Sequence, residues 1–185
     1  MRADDIRRHL QPYVMARNRT TTINNAFASA LAPCTEYDLG LVRRAISMLG
    51  QSPDSDLTCI YCGRPAETWD HLVGLVKNST LRGYGHQLGN LVPCCKTCNS
   101  RKGGKDWRHW LKEAIADETE RTELEQRLAT YLQSFAKQID LVRLERESPS
   151  DLAAYNSLRE QVLEIMHKAD ALAERLRQRV VQDGV

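Results

Sequence analysis

Several features that would place the chain in a common class are missing from its 185 residues. No apolar run approaches the roughly 18 residues that a membrane-spanning helix needs, and the first residues lack the apolar segment of a secretory signal. Internal repeats at solenoid periods and low-complexity segments are also absent. We therefore expect a cytoplasmic protein that has no membrane partner and folds as one compact unit with appendages.

A strong net charge is missing as well, and the formal value of +2 argues neither for nor against nucleic acid. The distribution of charge is more informative. Residues 59–112 hold nine basic and three acidic side chains, for a net charge of +6, whereas residues 113–185 carry −5. The same central stretch contains five of the six cysteines and all three tryptophans. The chemistry of the protein is therefore expected in this stretch.

The pattern along the chain predicts three regions. Residues 1–56 form an N-terminal helical region that ends in a turn-rich linker. Residues 57–112 are predicted to form a small module, a β-hairpin with a long connection that runs into a short helix from Cys95. Its β-prone pieces are Thr58 to Tyr61, Thr68 to Val73 and Leu88 to Val92. Residues 113–185 form a C-terminal helical hairpin. The predicted fold class is α+β, mostly helical, with the small module flanked by helices.

Helix signals are clearest after the central module. Asp106 is predicted to cap one helix, and Asp117 with Glu120 resembles a capping box for the next. After Pro149, apolar residues recur at alternating spacings of three and four, which indicates a heptad seam. The members of this seam are Tyr155, Leu158, Val162, Ile165, Ala169, Leu172 and Leu176. The C-terminal helices are expected either to buttress the central module or to form a dimer interface.

Two C-x-x-C pairs mark the ends of the module: Cys59 with Cys62, and Cys95 with Cys98. Thiolates at this spacing bind one tetrahedral zinc at about 2.3 Å, and two pairs close its coordination shell. We expect one structural zinc per chain, because a four-cysteine site has no open position for a substrate. Cys94 and the isolated Cys34 are interpreted as small core residues.

The order of motifs resembles that of the zinc-containing HNH (ββα-metal) nucleases over about residues 58–110, and small HNH restriction endonucleases resemble the whole arrangement. The residues that carry the resemblance are Cys59-x-x-Cys62-Gly63, Trp69-Asp70-His71-Leu72, Gly89-Asn90-Leu91-Val92 and Cys95-x-x-Cys98-Asn99-Ser100-Arg101-Lys102-Gly103. The fold it implies is a zinc-bound ββα-metal module.

The resemblance also implies roles for four residues. Asp70 and Asn99 would bind a catalytic Mg²⁺ or Mn²⁺, His71 would be the general base, and Asn90 would fix the hairpin and orient His71. Since neighbouring residues of a strand point to opposite faces, Asp70 and His71 cannot both aim inward from a regular strand. Two departures are that Leu72-Val73-Gly74 follows Asp70-His71 where the family often has a proline, and that Asn99 replaces a histidine. His86 is interpreted as an exposed loop histidine.

Basic side chains on the module are expected to contact DNA phosphates. They are Lys77, Arg82, Lys96, Arg101, Lys102, Lys105 and Arg108. Trp107 and Trp110 are predicted core residues, since they share a helical face with Leu111.

The expected function is metal-dependent cleavage of double-stranded DNA by a sequence-specific, type II-like restriction enzyme. Homodimerisation is expected because one HNH site cuts one strand. The alternatives are a modification-dependent, mobile-element or phage nuclease, a nickase, or a zinc-stabilised DNA-binding module without catalysis.

Overall fold

The computed structural model describes residues 3–77 and 80–182, and it confirms the predicted mostly helical α+β fold. A short 3₁₀ helix, Ala3–Arg8, precedes two α-helices, α1 (Met15–Leu31) and α2 (Leu39–Met48). Four short strands follow: β1 (Thr68–His71), β2 (Val76–Lys77), β3 (Thr80–Leu81) and β4 (Leu91–Cys94). The remaining helices are α3 (Lys96–Lys102), α4 (Trp107–Ala114), α5 (Glu118–Phe135), α6 (Leu141–Glu147) and α7 (Pro149–Gln182).

The described chain divides into two compact units, residues 28–141 and residues 3–27 with 142–182. The proposed three-region division, 1–56, 57–112 and 113–185, stays a prediction. Among the described residues, no helix combines the length and the apolar character that crossing a membrane requires.

The central hairpin pairs β1 with β4 in antiparallel register, with Asp70 opposite Val92 and His71 opposite Leu91. Its long connection contains a second small hairpin, β2 with β3, that the sequence did not predict. The segment from Thr58 to Tyr61 is not a strand. It forms the first cysteine turn, and only Thr58 makes a β-bridge, to Pro65.

The core of the 28–141 unit lies where α2, α4 and α5 cover the hairpin. The predicted caps are confirmed: the Asp106 side chain accepts hydrogen bonds at the start of α4, and the Asp117 side chain does so at the start of α5. Trp107 and Trp110 are buried as predicted. The hydroxyl of Tyr131 on α5 donates to the backbone oxygen of Leu91, at 2.8 Å, which fixes α5 against β4.

In the other unit, α7 lies antiparallel to the first part of α1. The Asp170 carboxylate accepts hydrogen bonds from the backbone N–H groups of Met15 and Ala16, and the Tyr155 hydroxyl donates to the Phe27 carbonyl. The predicted heptad seam is thereby split between two faces. Tyr155, Val162 and Ala169 are half-buried, whereas Leu158, Ile165, Leu172 and Leu176 are exposed.

Candidate active site

The sulfur atoms of the two C-x-x-C pairs converge on one point. Those of Cys59, Cys62, Cys95 and Cys98 all lie within 4.8 Å of one another, and those of Cys62 and Cys95 are 3.7 Å apart. Four sulfurs about 2.3 Å from a tetrahedral zinc are about 3.8 Å from each other, so the cluster has the dimensions of such a site. Because four thiolates complete the shell, a zinc held here is structural.

Local structure aims these thiols. Gly63 has a φ of +69° and its N–H donates to the Cys59 carbonyl, which tightens the first turn. Cys95 caps α3, and its sulfur accepts a hydrogen bond from the backbone N–H of Cys98. The Arg64 guanidinium, which the sequence analysis did not single out, lies 3.5 Å from the sulfurs of both Cys62 and Cys95. Its positive charge offsets part of the thiolate charge.

The two remaining cysteines differ from each other. Cys94 is fully buried, as predicted. The interpretation of Cys34 as a core residue is wrong, because it is exposed. Cys34 lies after the end of α1, in an extended segment that forms a β-bridge with His86 instead of packing in the core.

Asp70 faces the interior of the module and is 5% exposed. Its carboxylate accepts hydrogen bonds from the Tyr61 hydroxyl at 2.8 Å and from the Lys102 ammonium at 3.1 Å. Lys102 also donates to the backbone oxygen of His71, at 2.6 Å. Burial raises the pKa of Asp70, while Lys102 and Tyr61 favour its ionised form. This buried ion pair joins α3 to β1 next to His71.

This arrangement bears on two predicted roles. The prediction that Lys102 contacts phosphate is wrong, because Lys102 is 2% exposed and its ammonium donates to Asp70 and to the His71 carbonyl. The role of Asp70 as a cation ligand stays a prediction. In the structure its two carboxylate oxygens accept hydrogen bonds from Tyr61 and Lys102 inside the module.

Asn99, the other predicted cation ligand, is available. It lies on α3 directly after Cys98 and is half-buried. Its side-chain amide makes no hydrogen bond within the part of the chain that the structure describes. An amide oxygen is a neutral ligand of the kind that Mg²⁺ and Mn²⁺ accept.

His71 is the last residue of β1, and strand alternation places its side chain on the face opposite Asp70. Burial is the main cause that lowers its pKa to about 4, and the nearby His86 and Lys102 act in the same direction. His71 is therefore a neutral imidazole at neutral pH. That is the protonation state in which it can accept a proton from water.

His86 lies next to His71, a contact that the sequence analysis missed. The Nε2 atom of His71 is 3.1 Å from the Nδ1 atom of His86, and the two rings meet edge to face. His86 is exposed, as predicted for a loop histidine, but it belongs to the site. The glycines around it indicated only a loop.

Asn90 is fully buried between the two histidine-bearing segments. Its Oδ1 atom accepts from the N–H of Val73 at 2.8 Å, and its Nδ2 atom donates to the carbonyls of Val73 and Gly85 at 3.1 and 3.0 Å. These bonds hold the turn after β1 against the segment that carries His86.

The other basic residues that were predicted to contact DNA fall into two groups. Lys96, Lys105 and Arg108 form surface ion pairs with Glu67, Glu113 and Glu125. Lys77 and Arg101 are exposed and Arg82 is half-exposed; among the described residues, none of these three forms an ion pair. Surface pairs are worth little, so both groups can meet phosphate.

The paired cysteine turns, the two-strand hairpin and the following helix define a metal-binding ββα module. Residues 59–105 match the family model described as HNH endonuclease, so the chain carries an HNH endonuclease domain over this range. No curated protein and no solved structure matches the chain.

The thiol cluster predicts one zinc per chain. Cys98→Ser should abolish zinc binding and unfold the module, because metal binding and folding are coupled in such sites. Zinc analysis and circular dichroism measure this result. The matched control is Cys34→Ser, which changes an exposed cysteine and should keep both zinc and fold. Folded Cys98→Ser protein with a full complement of zinc would contradict the assignment.

The buried ion pair predicts a large loss of stability for Lys102→Met. Removal of the ammonium leaves the Asp70 carboxylate buried with the Tyr61 hydroxyl but without an opposite charge, which costs about 3–5 kcal/mol. Arg101→Met, one residue earlier on α3 and exposed, is the control and should change stability by less than about 1 kcal/mol. Denaturant unfolding of both variants makes the comparison, and equal stabilities would show that the pair is not a structural anchor.

Proposed function

We propose that the protein is an endonuclease that hydrolyses phosphodiester bonds of double-stranded DNA, and that it acts as a sequence-specific, type II-like restriction enzyme. The observation that supports catalysis most directly is His71, a neutral histidine at a strand end of the HNH domain. Its backbone is held by Lys102 and its strand exit by Asn90. A module that only binds DNA has no need of a histidine held in this way.

In the proposed reaction His71 takes a proton from a water molecule as the water oxygen attacks the phosphorus. One bond from phosphorus to oxygen forms and another breaks, and the proton remains on the imidazole until it is released. A bound Mg²⁺ or Mn²⁺ would stabilise the charge that develops on the leaving oxygen. The predicted ligands are Asp70, whose carboxylate is paired with Lys102, and Asn99, whose side-chain amide makes no hydrogen bond within the described residues.

The positive side chains around the module would position the DNA backbone. Lys77, Arg82 and Arg101 offer charges that form no ion pair among the described residues, and the Arg101 guanidinium lies over the Trp110 ring. In Lys96, Lys105 and Arg108, a phosphate would replace a glutamate partner, at little cost for exposed pairs. Contacts of this kind fix register on the duplex and carry no sequence information.

We infer a homodimer from the exposed face of α7. Large aliphatic side chains line this face at spacings of seven and four residues, each between 50% and 73% exposed. They are Leu158, Ile165, Leu172, Leu176 and Val180. A second copy of the helix offers an identical stripe and would bury both. The two copies would also supply the two active sites that a double-strand break requires.

The proposed catalysis predicts that purified protein with Mg²⁺ cuts plasmid DNA. It also predicts that His71→Ala lowers the cleavage rate by a factor of about 10² to 10⁴ while DNA binding persists. His109→Ala, an exposed histidine on α4, is the control and should cut normally. On a gel, discrete fragments would indicate sequence specificity and a smear would indicate a non-specific nuclease. Nicked circles would indicate a nickase. Undiminished cutting by folded His71→Ala would remove His71 from the role of general base.

The proposed dimer predicts that Ile165→Asp combined with Leu172→Asp gives a folded monomer that only nicks DNA. Both positions are exposed, so the added charges disturb a partner helix rather than the chain's own packing. Ser157→Asp, an exposed site on the same helix, adds a charge outside the stripe and should leave a dimer. Light scattering with and without DNA measures the mass; a wild-type monomer that cuts both strands would refute the dimer.

A further inference from the structure

The contact between His71 and His86 is held in place by other residues of the 28–141 unit. The His71 ring is anchored through its backbone, because its carbonyl accepts from Lys102 and its strand is paired with β4. His86 is exposed, so burial of its own side chain does not hold its ring in place. Its position comes from the backbone around it.

Three constraints fix that backbone. The Thr35 N–H donates to the His86 carbonyl at 3.1 Å, within the bridge between Cys34 and His86. Asn90 donates to the Gly85 carbonyl. Gly85 itself packs so closely on Pro33 that a Cβ there would lie 2.0 Å from the Pro33 oxygen. These contacts hold the loop in the arrangement that directs His86 at His71.

A hydrogen bond between two imidazole rings contains one proton, and its placement decides what His71 can do. If His86 donates from Nδ1, the Nε2 lone pair of His71 is consumed and its Nδ1 carries the other proton. His71 then has no free lone pair. If His71 donates from Nε2, its Nδ1 atom keeps a lone pair, and this atom has no hydrogen-bond partner within the described residues. Only the second arrangement leaves His71 a base.

We propose that His86 is the positioning residue of the active site: its Nδ1 atom accepts a hydrogen bond from His71 Nε2–H and so holds His71 in the tautomer whose Nδ1 removes the proton from water. The inference rests on the proposed nuclease function. It assigns the reacting nitrogen and gives the second histidine a role. In this arrangement both rings carry their proton on Nε2, the ordinary tautomer of histidine.

Nitrogen-15 NMR of the full chain labelled at histidine tests the tautomer without DNA or catalysis. Long-range proton–nitrogen correlations identify the protonated ring nitrogen, and His71→Gln assigns the His71 signals. We expect wild-type His71 to be protonated on Nε2, and His86→Ala to give a mixture of tautomers. His109→Gln is the control and should leave the His71 signals unchanged. Wild-type His71 protonated on Nδ1, or a pattern unaffected by His86→Ala, would overturn the inference.

Cleavage kinetics supply the second readout. His86→Ala should lower kcat by roughly 10- to 100-fold with KM little changed, as expected when the partner that orients a histidine is removed. His86→Asn places its Oδ1 atom where Nδ1 was, so it should restore both the tautomer and most of the rate. Equal rates for His86→Ala and wild type would also refute the role. If the wild-type protein cuts no DNA, the proposed function fails, and the NMR result still decides the tautomer.

Discussion

The convergence of four thiolates is the constraint on which the central hairpin depends. β1 and β4 have only four residues each, and an isolated two-stranded hairpin is at best marginally stable in water. The first cysteine turn precedes β1 and the second links β4 to α3, so a bound zinc joins the strands at the end where Thr68 faces Cys94. Asn90 closes the opposite end, beside His71.

The thiol cluster also sets the direction of α3, since Cys95 caps that helix while its sulfur belongs to the cluster. Lys102, at the last turn, then reaches Asp70 and the His71 carbonyl. Burial of two charges carries a desolvation cost that a close pair with further hydrogen bonds only offsets. The pair is thus better explained as a positional device than as a source of stability: it fixes the strand end from which His71 projects.

A feature of the fold or the site could be predicted from the sequence when the interacting residues are close together along the chain. Asp106 and Asp117 act on the next turn of their own helices, so sequence sufficed to assign both caps. Strand alternation indicated that only one residue of Asp70-His71 faces inward, but the helix packed on the strand decided which one. The predictions for Lys102 and Cys34 were wrong, and the contact of His86 with His71 was not predicted. In each case the partner lies 15 to 52 positions away in the sequence, in a contact that no local pattern encodes.

The same reasoning explains why the heptad seam of α7 needed the structure. Its spacing indicated one apolar stripe, but an α-helix has room for two neighbouring faces. α1 contacts Tyr155 and Asp170 on one face of α7. The other face carries the exposed aliphatic side chains of Leu158, Ile165, Leu172, Leu176 and Val180. Single exposed leucines are common on monomers, whereas an aligned row on a helix about 51 Å long is not. The proposed interface between two copies would bury this row, and it would give a nuclease with one centre per chain a second centre for the second strand.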